Sequence, residues 1–273
     1  MRNLKGKVAL ITGGGRGIGK RLALGFAAAE AKVALLARSK AELDLANLEI
    51  EHAGGAALRL RADVRDYEQL AAAVDRLKQH FGRLDVLVCS AAIQGPLGPF
   101  LECSPQAWID TINTNLIGVM NTIRASLPLM QAKRSGKIIL LGGRGTADPR
   151  PWFSAYAASK AAVNRLSETL AEELRDLNIQ VNVMSPGGAY THMTDEILSA
   201  GEKVGRKEQE KALQIRLTGG IVSAKQIELA LFLASEDSNH ISGKLIHVND
   251  DWKRLQTNSV SPEVYTVRRI QKT

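Results

Sequence analysis

The sequence predicts a doubly wound α/β fold: one parallel sheet of about seven strands, helices on both faces, and a helical lid. Short apolar runs alternate with longer segments of helical period. The first run is apolar throughout, as a strand covered on both faces must be. Glycine or polar residues follow the runs without any linker-like stretch, which argues for a single domain over residues 1–250.

Lys7-Val8-Ala9-Leu10-Ile11-Thr12 reads as a buried strand ended by glycines, and a helix follows from about Gly17 to Ala29. The alternation repeats as strand Val33 to Ala37, helix Ala41 to His52, strand Ala57 to Ala62, helix Tyr67 to Phe81 and strand Asp85 to Cys89. A long helical stretch from about Pro105 to Met130, strand Lys137 to Leu141, helix Ser154 to Leu177 and strand Gln180 to Met184 come next. Residues 188–222 are polar, mixed in charge and punctuated by glycine, the composition of a mobile helical lid. Helix Ala224 to Ala234 and strand Lys244 to Val248 complete the pattern. Asn249 to Thr273 lacks periodicity; the tail 251–273 is either an ordered arm against a neighbouring subunit or a loose end.

Of the 273 residues, 45% are hydrophobic and 23% charged, an ordinary globular balance. The formal net charge of +8 raises nucleic acid as a partner. The basic residues are interleaved with acids, however, except for Arg268, Arg269 and Lys272 in the tail and Lys203, Arg206, Lys207 and Lys211 in the lid. The excess is therefore read as attraction for anionic small molecules, with neither nucleic acid nor membrane expected as partner. No run approaches the ~18 apolar residues of a membrane span, and Val8 to Ile11 is too short for a signal-peptide core, so a cytoplasmic location is expected. Cys89 and Cys103 are too few for a disulfide framework and too isolated for a metal site.

Ligands of such sheets sit beyond the carboxyl ends of the strands, and the chemistry-bearing residues follow the strands here. Thr12-Gly13-Gly14-Gly15-Arg16-Gly17-Ile18-Gly19 puts small residues where strand becomes helix. Backbone can thereby approach a pyrophosphate, with the helix N-terminus facing its charge. A carboxylate at the end of the second strand would bind the ribose hydroxyls of NAD and repel a 2′-phosphate. That position is Ala37, followed by Arg38 and Ser39. Arg38 and Arg16 can converge on a phosphate, which makes NADP(H) the expected cofactor.

Tyr156 and Lys160 lie four apart on a predicted helix and share a face. A tyrosine of pKa ~10 exchanges protons poorly at neutral pH, and a neighbouring ammonium favours its phenolate. Such a pair can protonate a carbonyl oxygen or deprotonate an alcohol.

The glycine run and the Tyr156-to-Lys160 spacing together resemble the TGxxxGxG and YxxxK elements of the short-chain dehydrogenases/reductases, and the likeness extends from residue 5 to about 250. The resemblance implies a Rossmann-type fold, hydride transfer between a nicotinamide and a carbonyl or alcohol, and a homotetramer or dimer. It implies a cofactor set of Gly13, Gly15, Arg16, Gly17, Ile18, Gly19, Arg38, Ser39, Asp63 and Val64 at the adenine, Ser90 and Ala91, Tyr156, Lys160, and Pro186, Gly187 and Thr191 of a PGxxxT element. Cys89-Ser90-Ala91-Ala92 stands where the family has NNAG and departs from it at three of four positions. Asn115 matches the asparagine of a water and lysine proton relay, although a helix-kink hydrogen bond would also explain it.

The family's serine, thirteen residues before the tyrosine, falls on Gly143. Losing one such donor typically costs ~3 kcal/mol of transition-state stabilisation. Thr146, Ser154, Ser90, backbone N–H groups of the glycine-rich turn, Arg144, or the substrate itself are the candidate replacements. Arg144 and Arg150, with Asp148, Trp152 and Phe153, occupy the same loop and are either recognition groups for a phosphate, carboxylate or sugar hydroxyls, or plain surface arginines. Tyr190, His192 and Met193 open the lid, with His192 read as a surface residue. Gly143, Arg144, Arg150, Trp152, Tyr190 and Met193 form the candidate substrate set. Asp250 and Asp251 are open to substrate hydroxyls or to another subunit's tail.

An NADP(H)-dependent oxidoreductase acting on a small, anionic or polyhydroxylated substrate is the leading expectation. A regulatory cofactor-binding homologue and a redox-neutral epimerase are the alternatives.

Overall fold

A computed structural model describes residues 2–256, 260–261 and 263–268. Its elements are β1 (Val8–Thr12), α1 (Gly17–Ala28), β2 (Lys32–Ala37), α2 (Lys40–His52), β3 (Ala57–Arg61), α3 (Tyr67–Phe81), β4 (Val86–Cys89), α4 (Pro105–Ile112), α5 (Gly118–Gln131), β5 (Gly136–Leu141), α6 (Ser154–Glu173), β6 (Ile179–Ser185), α7 (His192–Ser199), α8 (Arg206–Thr218), α9 (Ser223–Ala234) and β7 (Leu245–His247).

All seven strands pair in parallel in the order β3-β2-β1-β4-β5-β6-β7. The order reverses between β1 and β4, and a crevice opens there beyond the strand ends. Because side chains alternate along a strand, each strand feeds two cores. Ala9, Ile11, Val33 and Leu35 pack with α1, α2 and α9 on one face. Val8, Leu10, Ala34 and Leu36 pack with α3, α5 and α6 on the other. Each fully buried aliphatic side chain contributes roughly 1.5–3 kcal/mol relative to exposure, so the sheet is a stiff base for the loops above it.

The helical stretch expected over 105–130 is interrupted. Asn113–Ile117 forms one wide π turn between α4 and α5, a local widening common at functional sites. Thr111 and Thr114 donate their hydroxyls back to the carbonyls of Ala107 (2.7 Å) and Asp110 (2.9 Å) beside it. The helix expected over 154–177 stops at Glu173, and Asn178 turns the chain with φ +53°.

The expected lid comprises α7, a short turn over Gly201–Val204, and α8. Its two ends are tied by an antiparallel bridge between Ala189 and Gly220. A small apolar cluster of Phe153, Tyr156 and Val204, backed by Ile197, seats it on α6.

β7 is shorter than the run Lys244 to Val248. Asp250 accepts from the His247 N–H (2.7 Å) and so caps the turn after β7, and Asp251 pairs with Arg254 (2.5 Å). Trp252 then stacks on Phe232, centroids 5.2 Å apart. The described tail residues fold back on their own chain: Leu245 N–H donates to Tyr265 O (2.7 Å), Lys244 to the carbonyls of Ser261 and Val264, and Arg268 pairs with Glu168 (2.9 Å). Arg269 and Lys272 lie outside the described residues. Among the described residues, no helix is long and apolar enough to cross a membrane.

Candidate active site

A cleft of about 1610 Å³ runs along the carboxyl ends of the strands from α2 to the lid. That exceeds the ~300–1,000 Å³ of a site for one drug-sized ligand, and it accommodates a dinucleotide with a second molecule beside it.

The nucleotide end is made largely of backbone. α1 begins at Gly17, and its N-cap Arg16 provides no side-chain cap, so the first N–H groups of the helix face the cleft. Gly13 holds φ +65°, and a Cβ there would stand 2.9 Å from the Ala91 backbone. A Cβ on Gly19 would collide with the Gly13 carbonyl, so only glycine lets the turn close this tightly. Gly17 sits under Thr191, whose methyl group would be 3.4 Å from a Cβ at 17.

Gly13, Arg16, Gly17, Ile18, Gly19, Arg38, Ser39, Asp63, Val64, Ser90, Ala91, Pro186, Gly187 and Thr191 all line the cleft. Gly15 does not: a Cβ there would lie 2.8 Å from that of Glu42, so this glycine serves the packing of the turn on α2. β2 ends at Ala37, as its apolar run requires, and Arg38 projects beyond it with more than half of its side chain exposed. Arg38 approaches Asp63 at 4.0 Å, whereas Arg65 grips Asp63 through both carboxylate oxygens and holds its carboxyl below the usual range. Arg16 pairs with Glu42 (3.2 Å), and the Ser39 hydroxyl caps α2 by accepting from Glu42 N–H (3.2 Å).

The middle of the cleft holds Tyr156 and Lys160, both buried on α6. Lys160 Nζ donates to Leu141 O (2.7 Å) and lies 5.5 Å from the centre of the Tyr156 ring. Burial brings Lys160 down to about 8. Burial also pushes the Tyr156 phenol above its usual value, and the charge of Arg150 partly offsets this. Two cations therefore flank the tyrosine at similar distance, Lys160 and Arg150, the latter 5.6 Å from its ring centre.

Asn115 lies behind this pair rather than in the lining. From the π turn, its Oδ1 accepts from Ile93 N–H (2.9 Å), and its Nδ2 donates to Ile93 O (3.0 Å) and to Ser159 Oγ (3.1 Å). One side chain thereby ties the loop after β4 to α6.

Gly143 lines the cleft opposite Tyr156; the nearest atom to a Cβ there would be the Tyr156 hydroxyl, at 2.7 Å. The Thr146 hydroxyl is bound into its own turn, donating to Gly143 O (2.7 Å) and accepting from Gly143 N–H (3.1 Å). Ser154 lies outside the lining and accepts from Trp108 Nε1 (3.3 Å). Arg144 and Arg150 do line the cleft, as do Tyr190 and Met193. Tyr190 donates to Asp195 (3.0 Å), and the exposed His192 pairs with Glu196 (3.5 Å). Trp152 is elsewhere: with φ +70°, it packs its indole nitrogen beside Gly205, outside the cleft.

Sequence reading passed over Gln94 and Glu208, and named Lys211 only as one of the lid's basic residues; all three line the cleft. Glu208 stands on α8 between the two arginines, one oxygen against Arg144 and the other 3.0 Å from Arg150. As one of several acids in a lid segment of mixed charge, it carried no distinguishing signal. Gln94 is buried with an unpartnered Nε2, which burial alone in a sequence cannot reveal.

The sequence pattern of the family described as short chain dehydrogenase matches residues 7–201. The chain is 35% identical over 247 residues to the 3-oxoacyl-[acyl-carrier-protein] reductase FabG of Thermotoga maritima, covering 90% of this chain and 97% of that one. It is 36% identical over 250 residues to the oxidoreductase UcpA of Salmonella typhimurium, covering 89% and 93%. Among solved structures, a gluconate 5-dehydrogenase from Burkholderia cenocepacia in complex with NADP and tartrate superimposes with TM-score 0.80 at 30% identity, over 90% of this chain and 94% of that one. NAD+-bound xylitol dehydrogenase gives TM-score 0.82 at 27% identity, over 90% and 98%. Fold, cleft and sequence therefore converge: this chain belongs to the short-chain dehydrogenase family of oxidoreductases.

Proposed function

We propose that this chain is an NADP(H)-dependent oxidoreductase that transfers a hydride between the nicotinamide and a carbonyl or secondary alcohol of a small anionic or polyhydroxylated substrate. The carrying observation is the buried Tyr156 hydroxyl in the middle of a cleft that begins at the uncapped N-terminus of α1.

The chain suits the cofactor: the glycine turn leaves room that any Cβ would fill, and the helix end offers free N–H donors. Gly13, Gly17 and Gly19 would hold the pyrophosphate, Arg38 and Arg16 a 2′-phosphate, Asp63 and Val64 the adenine, and Lys160, Pro186, Gly187 and Thr191 the nicotinamide half. Ala37 favours the phosphorylated form because it leaves the ribose without the carboxylate that would repel it. Support also comes from the NADP-bound gluconate 5-dehydrogenase. When bound, the nicotinamide supplies or accepts the hydride.

The rest of the chemistry falls to side chains. Tyr156, whose phenol burial pushes above its usual value, donates its proton to the substrate oxygen during reduction, and the phenolate so formed is the base that takes a proton back in the oxidation direction. Lys160, cationic below about 8, supplies positive charge beside that proton. Asn115 acts as a positioning residue, holding α6 and the loop after β4 in register. Gly143 stands at the family's serine position, and its missing side chain leaves the Tyr156 hydroxyl in the space that a serine Cβ would need. Orienting the substrate oxygen then falls to other donors in the lining, of which Arg150 and Lys160 stand beside Tyr156.

The test is absorbance of NADPH mixed with the protein and a panel of small carbonyl compounds. Consumption of NADPH with at least one oxo compound is expected. Tight NADPH binding with no turnover across the panel would leave a cofactor-binding protein instead.

A further inference from the structure

The substrate end of the cleft carries a charge arrangement that hydride transfer alone does not require. Arg150 is almost fully buried, its guanidinium 3.6 Å from the centre of the Phe153 ring and 5.6 Å from that of Tyr156. Arg144 comes from the same loop, and Lys211 stands on α8, one turn after Glu208. Arg144 and Arg150 thus share one carboxylate, that of Glu208, and Lys211 adds a third cation to the same lining. Lys211 has no ion pair among the described residues, and burial together with the charge of Arg144 lowers its proton affinity. Asp148, the other acid on the loop, makes no ion pair with the group. Arg150 is the buried member of the group and Arg144 and Lys211 are exposed; a cleft wall whose cations exceed their counter-charge attracts an anion.

We propose that Arg144, Arg150 and Lys211 form a carboxylate subsite, and that the substrate is a short-chain oxo acid or the corresponding hydroxy acid. Glu208 is its internal occupant: one oxygen on each guanidinium is the bridging arrangement a substrate carboxylate would adopt, and guanidinium forks match carboxylates in this way. The closeness of Arg150 to Tyr156 sets the length of the substrate, because a carboxylate on Arg150 has its carbonyl on the tyrosine only if the two groups are separated by very few carbons. Gln94 adds an amide to the same lining, with an Nε2 that has no acceptor among the described residues. This assignment rests on the reductase reading above.

Matched pairs separate the two. NADPH-saturated protein is assayed with 2-oxo and 3-oxo acids and with their methyl esters, which keep the shape and remove the charge. The acids are expected to exceed the esters in kcat/KM by about tenfold or more. Lys211→Ala should cut that acid-to-ester ratio about tenfold, and Glu208→Gln should raise it by removing the competitor. A merely structural tie between lid and loop would leave the ratio unchanged in Glu208→Gln, with both substrate classes weakened together. Esters used as well as acids, or esters alone, would overturn the subsite and leave the reductase reading standing. If neither class turns over, calorimetry of the same compounds on NADP-loaded protein decides. Binding of acids and not esters sustains the subsite while the reductase reading falls, and binding of neither overturns the subsite.

Discussion

The two ends of the cleft are built on different principles. At the nucleotide end, backbone does the work: a glycine turn, the uncapped start of α1, and residues within a few positions of β1 and β2. At the substrate end, side chains from the loops after β4 and β5 and from α8 converge on Tyr156. A backbone site tolerates change in most side chains but not in its glycines. A side-chain site can be retuned by one substitution, which is how the same fold accommodates many substrates.

Removing the proton donor is the severest way to separate the ends. Tyr156→Phe should lower kcat by roughly 10²–10⁴-fold while NADPH affinity, followed by nicotinamide fluorescence, stays within a few fold. Comparable losses in both would mean that the substrate end shapes the nucleotide end. The reverse experiment is Arg38→Asp, which should weaken NADPH about 10–100-fold and NADH far less. Equal losses would show that Arg38 does not touch a 2′-phosphate. The mildest probe is pH. Burial lowers the folded-state value of Lys160 to about 8, so its positive charge is present below that pH and is lost as pH rises through it. kcat/KM for carbonyl reduction should therefore fall severalfold between about pH 7 and 9. A flat profile would remove Lys160 from the proton chemistry.

The same contrast explains how much was legible in the sequence. Strands β1, β2, β4 and β5 declare themselves as apolar runs and β3 and β6 as alternating ones, and Gly13, Gly17 and Gly19 lie beside the strand they serve, so the fold and the nucleotide end are local messages. Glu208 and Arg150 are 58 positions apart, and nothing in either segment names the other. The π turn at Asn113–Ile117 is too small a departure to disturb the helical period around it, so Asn115 could be singled out but not its grip on Ile93 and Ser159. Trp152 and Gly15 were misleading for a related reason. Their neighbours in sequence line the cleft, but a positive φ at Trp152 and the approach of Glu42 to Gly15 direct these two elsewhere.

The short β7 closes one edge of the sheet, and its outward N–H at Leu245 is taken by Tyr265. An open edge is a template for a strand from another molecule, and proteins cover such edges to stay dispersed. The segment around Tyr265, with Lys244 bonded to the carbonyls of Ser261 and Val264 just before it, is thus a guard against aggregation as much as a tail.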